Sequence, residues 1–189
     1  MTAAYATFAN EGVYRQARTY TKVLDAGGKN VVLDNTQSSH VAMKDMTAWY
    51  ITDMLQNTVS YGSGTAALEN MPVAGKTGTT TSDFDRWFAG YTPYYTGVVW
   101  CGYDTPEEVV LTDSSTNPAI VLWQKVMAGV HKGLKTADFK KPANVVECSV
   151  CYDSGLLATD ACRSDPRGDR TVRVQLSLYD VPTESCTTH

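Results

Sequence analysis

Lys76, Thr77, Gly78, Thr79 and Thr80 place an ammonium, three hydroxyls and a glycine in five consecutive positions. On a strand, side chains alternate between faces, so Lys76 and Gly78 fall on one side and Thr77 and Thr79 on the other. Gly78 removes a side chain where another backbone could approach closely. A lysine on such a strand favours anionic neighbours. Threonine hydroxyls can hold a carboxylate, and a fixed backbone N–H can stabilise a developing oxyanion. An unpaired strand edge can also bind an extended peptide by main-chain pairing. These are parts of an acyl-transfer site. What the stretch does not supply is a nucleophile.

The flanks give the motif its meaning. Upstream runs Met1-Thr2-Ala3-Ala4-Tyr5-Ala6-Thr7-Phe8-Ala9-Asn10-Glu11-Gly12-Val13-Tyr14. Around and after the motif come Val73 to Thr80, then Asp85-Arg86-Trp87-Phe88-Ala89-Gly90-Tyr91-Thr92-Pro93, then Val99-Trp100-Cys101-Gly102-Tyr103-Asp104. The tail ends Pro182-Thr183-Glu184-Ser185-Cys186-Thr187-Thr188-His189. In this order, over nearly the whole chain, the sequence resembles the transpeptidase domain of class A penicillin-binding proteins. That family combines K-T-G with S-x-x-K and S-x-N motifs. No S-x-x-K occurs among the 189 residues. The chain therefore reads as the C-terminal part of such a domain, lacking the half that carries the serine motifs.

The resemblance implies a fold and roles. The fold is of the α/β (α+β) kind, an antiparallel sheet flanked by helices, as in the serine β-lactamases. Lys76 and Thr79 are implied to be catalytic: Lys76 sits at the cleft floor, and the Thr79 N–H supplies one oxyanion donor. Thr77, Gly78, Thr79 and Thr80 are implied to bind substrate, with the Thr77 and Thr79 hydroxyls on its carboxylate. The partners implied are D-Ala-D-Ala stem peptides of peptidoglycan, β-lactams and the half-domain bearing S-x-x-K and S-x-N. The implied location is the extracytoplasmic face of the bacterial membrane, reached only through an upstream anchor. Without the serine, this chain alone is expected to be inactive. Two other readings compete: a non-catalytic peptide-binding or structural module, and a β-lactamase-like hydrolase, against which the Ala3–Asn10 segment and the cysteine tail speak.

Other patterns near the motif lead elsewhere or nowhere. Lys76 could be a plain surface lysine on a Thr-rich strand, but the matched flanks outweigh that. Asp83, Asp85 and Arg86 read as a charged turn between strands. Gly75-Lys76-Thr77 looks like the end of a P-loop, which requires a glycine where Asn70 stands. Ser115-Thr116-Asn117 spells S-x-N on the wrong side of K-T-G, and Asn117 suits a helix cap. Thr19-Tyr20-Thr21-Lys22 has nucleophile-like spacing, but on an expected strand where the family uses a helix start.

The elements that must position the motif are legible in part. An Ala- and aromatic-rich helix covers 3–9 and stops before Gly12. Thr19 to Leu24 and Asn30 to Leu33 flank Ala26-Gly27-Gly28 as a hairpin. A helix is expected from about Val41 to Ser60, with Met46, Tyr50, Met54 and Leu55 at helical spacing. Three strands follow at 73–80, 86–91 and 96–103, the last two antiparallel because the link between them is short. Asn117-Pro118 opens a helix whose stripe is Ile120, Trp123, Met127, Val130 and Leu134. Beyond Lys140 the periodicity fades. The expected division is a domain portion at 1–145 and a cysteine-containing extension at 146–189. A sheet lacking strands should also leave an apolar face exposed.

Hydrophobic residues make up 43% and charged residues 19%, an ordinary globular balance. A net charge of −4 lacks the basic footprint of a nucleic-acid binder. No apolar run is long enough to span a bilayer. Of five cysteines, Cys101 sits in a strand-like run as an inert thiol. Cys148, Cys151, Cys162 and Cys186 cluster late. Cys148-x-x-Cys151 with Cys186-x-x-His189 has spacing that could suit zinc, while four cysteines also allow three disulfide pairings. Disulfides or reduced structural thiols are the reading adopted, with no metal and no cofactor expected.

Overall fold

The computed structural model describes residues 1–111 and 116–189. It divides into two compact units, Met1–Lys140 and Lys141–His189. The first unit contains α1 (Thr2–Ala9), β1 (Val13–Arg15), β2 (Lys22–Leu24), β3 (Val31–Asp34), β4 (Ser39–Val41) and α2 (Asp45–Tyr61). It continues with β5 (Ala74–Thr79), β6 (Asp85–Tyr91), β7 (Thr96–Gly102) and α3 (Pro118–Val130). The second contains β8 (Val145–Cys151), α4 (Asp160–Arg163) and β9 (Thr171–Ser177).

Strands β5, β6 and β7 form one antiparallel sheet in that order. Its centre is unusual in having glycine on all three strands at one level: Gly75 pairs with Gly90, and Gly90 with Gly97. The absent side chains leave a trough, and Trp123 of α3 fills it. A Cβ on Gly90 would stand 2.6 Å from Phe88 Cε1 and 2.8 Å from Trp123 Cζ2, and one on Gly97 would stand 2.8 Å from Met127 Cε. The Trp123 indole donates its Nε1–H to the Gly97 carbonyl at 3.1 Å and meets Phe88 edge to face. Phe88, Trp123, Met127 and Ile120 are all buried there, with Val59, Val73 and Ala119 completing the core. Half-buried Cys101 packs against the same cluster, and burial raises its thiol pKa, as suits an inert side chain.

The opposite face of β6 is covered by α1 and α2. Tyr91 is fully buried and shares a 2.9 Å hydrogen bond with the Thr52 hydroxyl, while its ring meets Tyr5. Burial pushes the Tyr91 hydroxyl pKa up to about 12, against the lowering effect of Thr52. β6 is thus enclosed on both faces from Phe88 to Tyr91.

Helix α3 starts as its sequence dictates, with the Asn117 side chain accepting from the Ala119 N–H and Pro118 in the first position. Its other end is tied to the β6–β7 turn. His131 Nδ1 lies 2.7 Å from the Met127 carbonyl, which requires a proton on Nδ1 and leaves Nε2 to accept from the Thr92 hydroxyl at 2.8 Å. The helix stops at Val130, so Leu134 lies beyond it, and Gly133 there takes a left-handed φ of 84°. Val130 is exposed along with Leu122 and Val126, an uncovered apolar side of the same helix.

One helix boundary differs from expectation. Helix α2 begins at Asp45, because Ser39–Val41 instead pairs with Val13–Arg15 in a two-stranded ribbon. Gly12 permits the turn into that ribbon: its φ is 86°, and a side chain there would collide with the Met43 carbonyl. The hairpin expected around Gly27-Gly28 is present as β2 and β3. The tail, in which no elements were foreseen, holds a seven-residue antiparallel pair, β8 with β9.

Candidate functional site

Lys76-Thr77-Gly78-Thr79 occupies β5, an edge strand whose one paired side faces β6. Thr77 pairs with Phe88 and Thr79 with Arg86, so Thr77 and Thr79 share the α3 side of the sheet. There they line a cleft with Ser63, Arg86, Asn117 and Ile120. The alternation read from the sequence thus separates the two threonines from Lys76. Lys76 is exposed, and its ammonium curls back to 3.3 Å from both the Thr77 carbonyl and the Thr77 hydroxyl. Gly78 abuts Trp87, whose Cβ would lie 3.2 Å from any added Cβ.

The turn after the motif is held by its own polar groups. Thr80 donates to Asp85 Oδ2 at 2.9 Å and accepts the Asp85 N–H at 2.9 Å. Asp85 Oδ1 receives the Trp100 indole N–H at 2.7 Å. Ser82 and Asp83 both take left-handed φ, 62° and 57°, within the five residues that join β5 to β6. The Thr80 hydroxyl and both Asp85 oxygens are therefore occupied with structure, leaving Thr77 and Thr79 as the motif hydroxyls in the cleft.

Arg86 is the residue that motif reasoning passed over. Its guanidinium pairs with Asp83 at 3.2 Å, yet its Nε is buried without a hydrogen-bond partner among the described residues. A buried N–H donor without a partner costs roughly 1–3 kcal/mol. Beside two threonine hydroxyls, Arg86 gives the cleft a fixed cation able to receive a carboxylate. The signal was available: a five-residue turn between β5 and β6 sets Arg86 opposite Thr79, on the same face. Of the S-x-N look-alike, Asn117 caps α3 and donates to the Trp87 carbonyl at 3.2 Å, while Ser115 lies outside the described residues.

The cysteines do not arrange themselves as spacing suggested. All five are free thiols. Cys148 and Cys151 both lie on β8, where a separation of three turns their side chains to opposite faces. Cys151 instead meets Cys162, Cys186 and His189.

A family model for the penicillin binding protein transpeptidase domain matches residues 1–121. The chain belongs to that family, as part of a class A penicillin-binding protein's transpeptidase domain. It is 41% identical over 191 aligned residues to penicillin-binding protein 1A of Clostridium perfringens, covering all of this chain and 23% of that protein. It is 36% identical to penicillin-binding protein 1A/1B of Bacillus subtilis, over 79% of this chain and 18% of that one. The chain thus spans about a quarter or less of the curated relatives it matches. Among solved structures, PonA1 from Mycobacterium tuberculosis superposes with a TM-score of 0.64 at 30% identity, over 75% of this chain and 40% of that one. Penicillin-binding protein 1A from Haemophilus influenzae gives 0.77 at 18% identity over 98% of this chain and 32% of that one, a likeness of fold. Among the described residues no helix is long and apolar enough to cross a membrane.

Proposed function

We propose that this chain supplies the substrate-holding strand of a peptidoglycan D,D-transpeptidase that is also acylated by β-lactams. The observation that carries the reading is the cleft itself, in which the Thr77 and Thr79 hydroxyls and the Arg86 guanidinium converge beside Lys76 on an edge strand. A stem peptide ending in D-Ala-D-Ala lies along that edge, its terminal carboxylate held by Thr77, Thr79 and Arg86. The serine of an S-x-x-K motif, contributed from outside these residues, attacks the penultimate carbonyl. The Thr79 N–H takes the oxyanion, D-alanine leaves, and an amine of a second stem peptide receives the acyl group. Family membership supports a site at the extracytoplasmic face of a bacterial membrane, with the anchor elsewhere in the protein.

A graft tests this. The corresponding segment of the Clostridium perfringens relative is replaced by these 189 residues. The graft is expected to bind fluorescent penicillin covalently, with labelling abolished by prior unlabelled drug. This chain alone should give no such band, because it contains no S-x-x-K. A folded graft that stays unlabelled, or a competed band from the isolated chain, contradicts the proposal.

A further inference from the structure

The second unit is small, and its regular structure is one two-stranded ribbon and a single turn of helix. An isolated hairpin is marginal in water, and units of this size commonly require a disulfide or metal staple. Its buried centre is not a conventional apolar core. Cys151, Cys162 and Cys186 make it up, with Leu156 and Ala158 packed around them.

Three separate segments bring the four donors together, with Cys186 and His189 both in the C-terminal tail. Cys151 ends β8, and its N–H bonds the Leu156 carbonyl at 2.8 Å. The returning segment bridges from β8 to the tail: Ala158 N–H reaches Ser149, Leu157 N–H reaches Glu184, and Cys186 N–H reaches Leu157. Cys162 comes from α4, where the Thr159 N–H points at its sulfur from 3.4 Å. The Thr188 N–H does the same for the Cys186 sulfur, also at 3.4 Å. Backbone donors aimed at sulfur favour thiolates.

We propose that Cys151, Cys162, Cys186 and His189 bind one zinc ion, a closed structural site that holds the second unit together. The four donor atoms all lie within 4.8 Å of one another. Zinc–sulfur bonds of about 2.3 Å put tetrahedral donors roughly 3.8 Å apart, so an inward shift of well under 1 Å per sulfur closes the site. Cys151 Sγ and His189 Nε2 already stand 3.2 Å apart. Three sulfurs and one imidazole nitrogen form a donor set characteristic of structural zinc.

The surroundings of His189 match this assignment. Its Nδ1 faces Asp165 Oδ2 at 2.7 Å, the carboxylate–histidine arrangement that fixes the tautomer and turns Nε2 toward a metal. Asp165 is in turn gripped by Arg167, which holds its carboxyl well below the usual carboxylate range. Asp153, 3.2 Å from His189 Nε2, is paired with Arg167 and Arg170 at 2.9 and 2.6 Å. Two guanidinium groups therefore stand beside a centre that would carry three thiolates against one dication. A disulfide reading accounts for less. Three cysteines allow one bridge, leaving a buried thiol and an oriented histidine unexplained, and Cys148 lies on the other face of β8.

The test uses the whole chain, purified with reductant and without chelator. Elemental analysis is expected to find about one zinc per chain. Replacing the ion with cobalt should give tetrahedral d–d and thiolate charge-transfer absorption. Cys148→Ser should keep the metal, while Cys162→Ser and His189→Ala should lower zinc affinity by at least about tenfold. The cobalt spectrum of the unmodified chain decides the matter even if a variant fails to fold. Folded chain that stays metal-free when offered zinc overturns the proposal. So does a mass lower by two hydrogens that maps to a bridge among Cys151, Cys162 and Cys186, or unchanged binding in Cys162→Ser.

Discussion

Lys76→Ala in the graft is expected to lower the second-order rate of acylation by penicillin by on the order of 10²–10³, with little loss of stability. The size follows from what preorganised charge is worth at an acyl-transfer site. It corresponds to roughly 3–4 kcal/mol of barrier, each tenfold costing about 1.4 kcal/mol. The small structural cost follows from the position. Lys76 is exposed, and its hydrogen bonds run only to the adjacent Thr77. Thr79→Val separates two roles for its neighbour. A modest loss points to the backbone N–H, which survives the substitution, and a loss comparable with Lys76→Ala points to the hydroxyl. The check is the acylation rate of each variant with a thermal melt beside it. A Lys76→Ala rate within about twofold of the parent, far from the loss such a group should cause, means that the ammonium has no part in the reaction.

The second large effect concerns the trough beneath α3. Trp123→Ala is expected to destabilise the first unit by about 3–5 kcal/mol, the range for emptying a buried aromatic site. Gly90→Ala tests the same packing from below. In a strand, alanine should gain roughly 0.5–1 kcal/mol over glycine from chain entropy. Here the new methyl meets Phe88 at 2.6 Å and Trp123 at 2.8 Å. Both neighbours are locked in the core, so overpacking of about 1–3 kcal/mol should prevail. Because the sites touch, the two changes should not add, and Gly90→Ala should cost less once Trp123 is small. Denaturant titration of the single and double variants measures this. A neutral Gly90→Ala, or strict additivity, removes the trough as the reason for these glycines.

The sequence disclosed local features well and convergent ones poorly. K-T-G, the Asn117-Pro118 helix start and the three short-linked strands each depend on neighbours within a few residues, and each is found as read. The glycine trough is different: Gly75, Gly90 and Gly97 look unremarkable until strand register sets them side by side. From sequence Arg86 reads as turn charge, because its cross-strand neighbour Thr79 is defined only by pairing. The sequence suggests a start of α2 at about Val41 because nothing local says that Ser39–Val41 pairs with Val13–Arg15. In the tail, Val172, Val174 and Leu176 alternate strictly and could have announced β9. The cysteines misled for a plainer reason. A C-x-x-C pair converges on a turn, but on β8 it points two ways, and Cys162, which has no such spacing to advertise it, takes the place.

The enclosure of β6 has a consequence for how this fold opens. Phe88 to Tyr91 are buried in succession, with Trp123 on one side and Thr52 and Tyr5 on the other. Their amide protons can meet deuterated water only when α3 or the α1–α2 pair lifts away together with a neighbouring strand. They should therefore exchange by global opening, the slowest of the first unit, whereas β5 keeps one edge free and exchanges through smaller fluctuations. Mass-resolved labelling would show the difference as a step between peptides covering 74–79 and 88–91. The motif-bearing strand is then the pliable margin of the sheet, and the strand that anchors it is the last part of this unit to breathe.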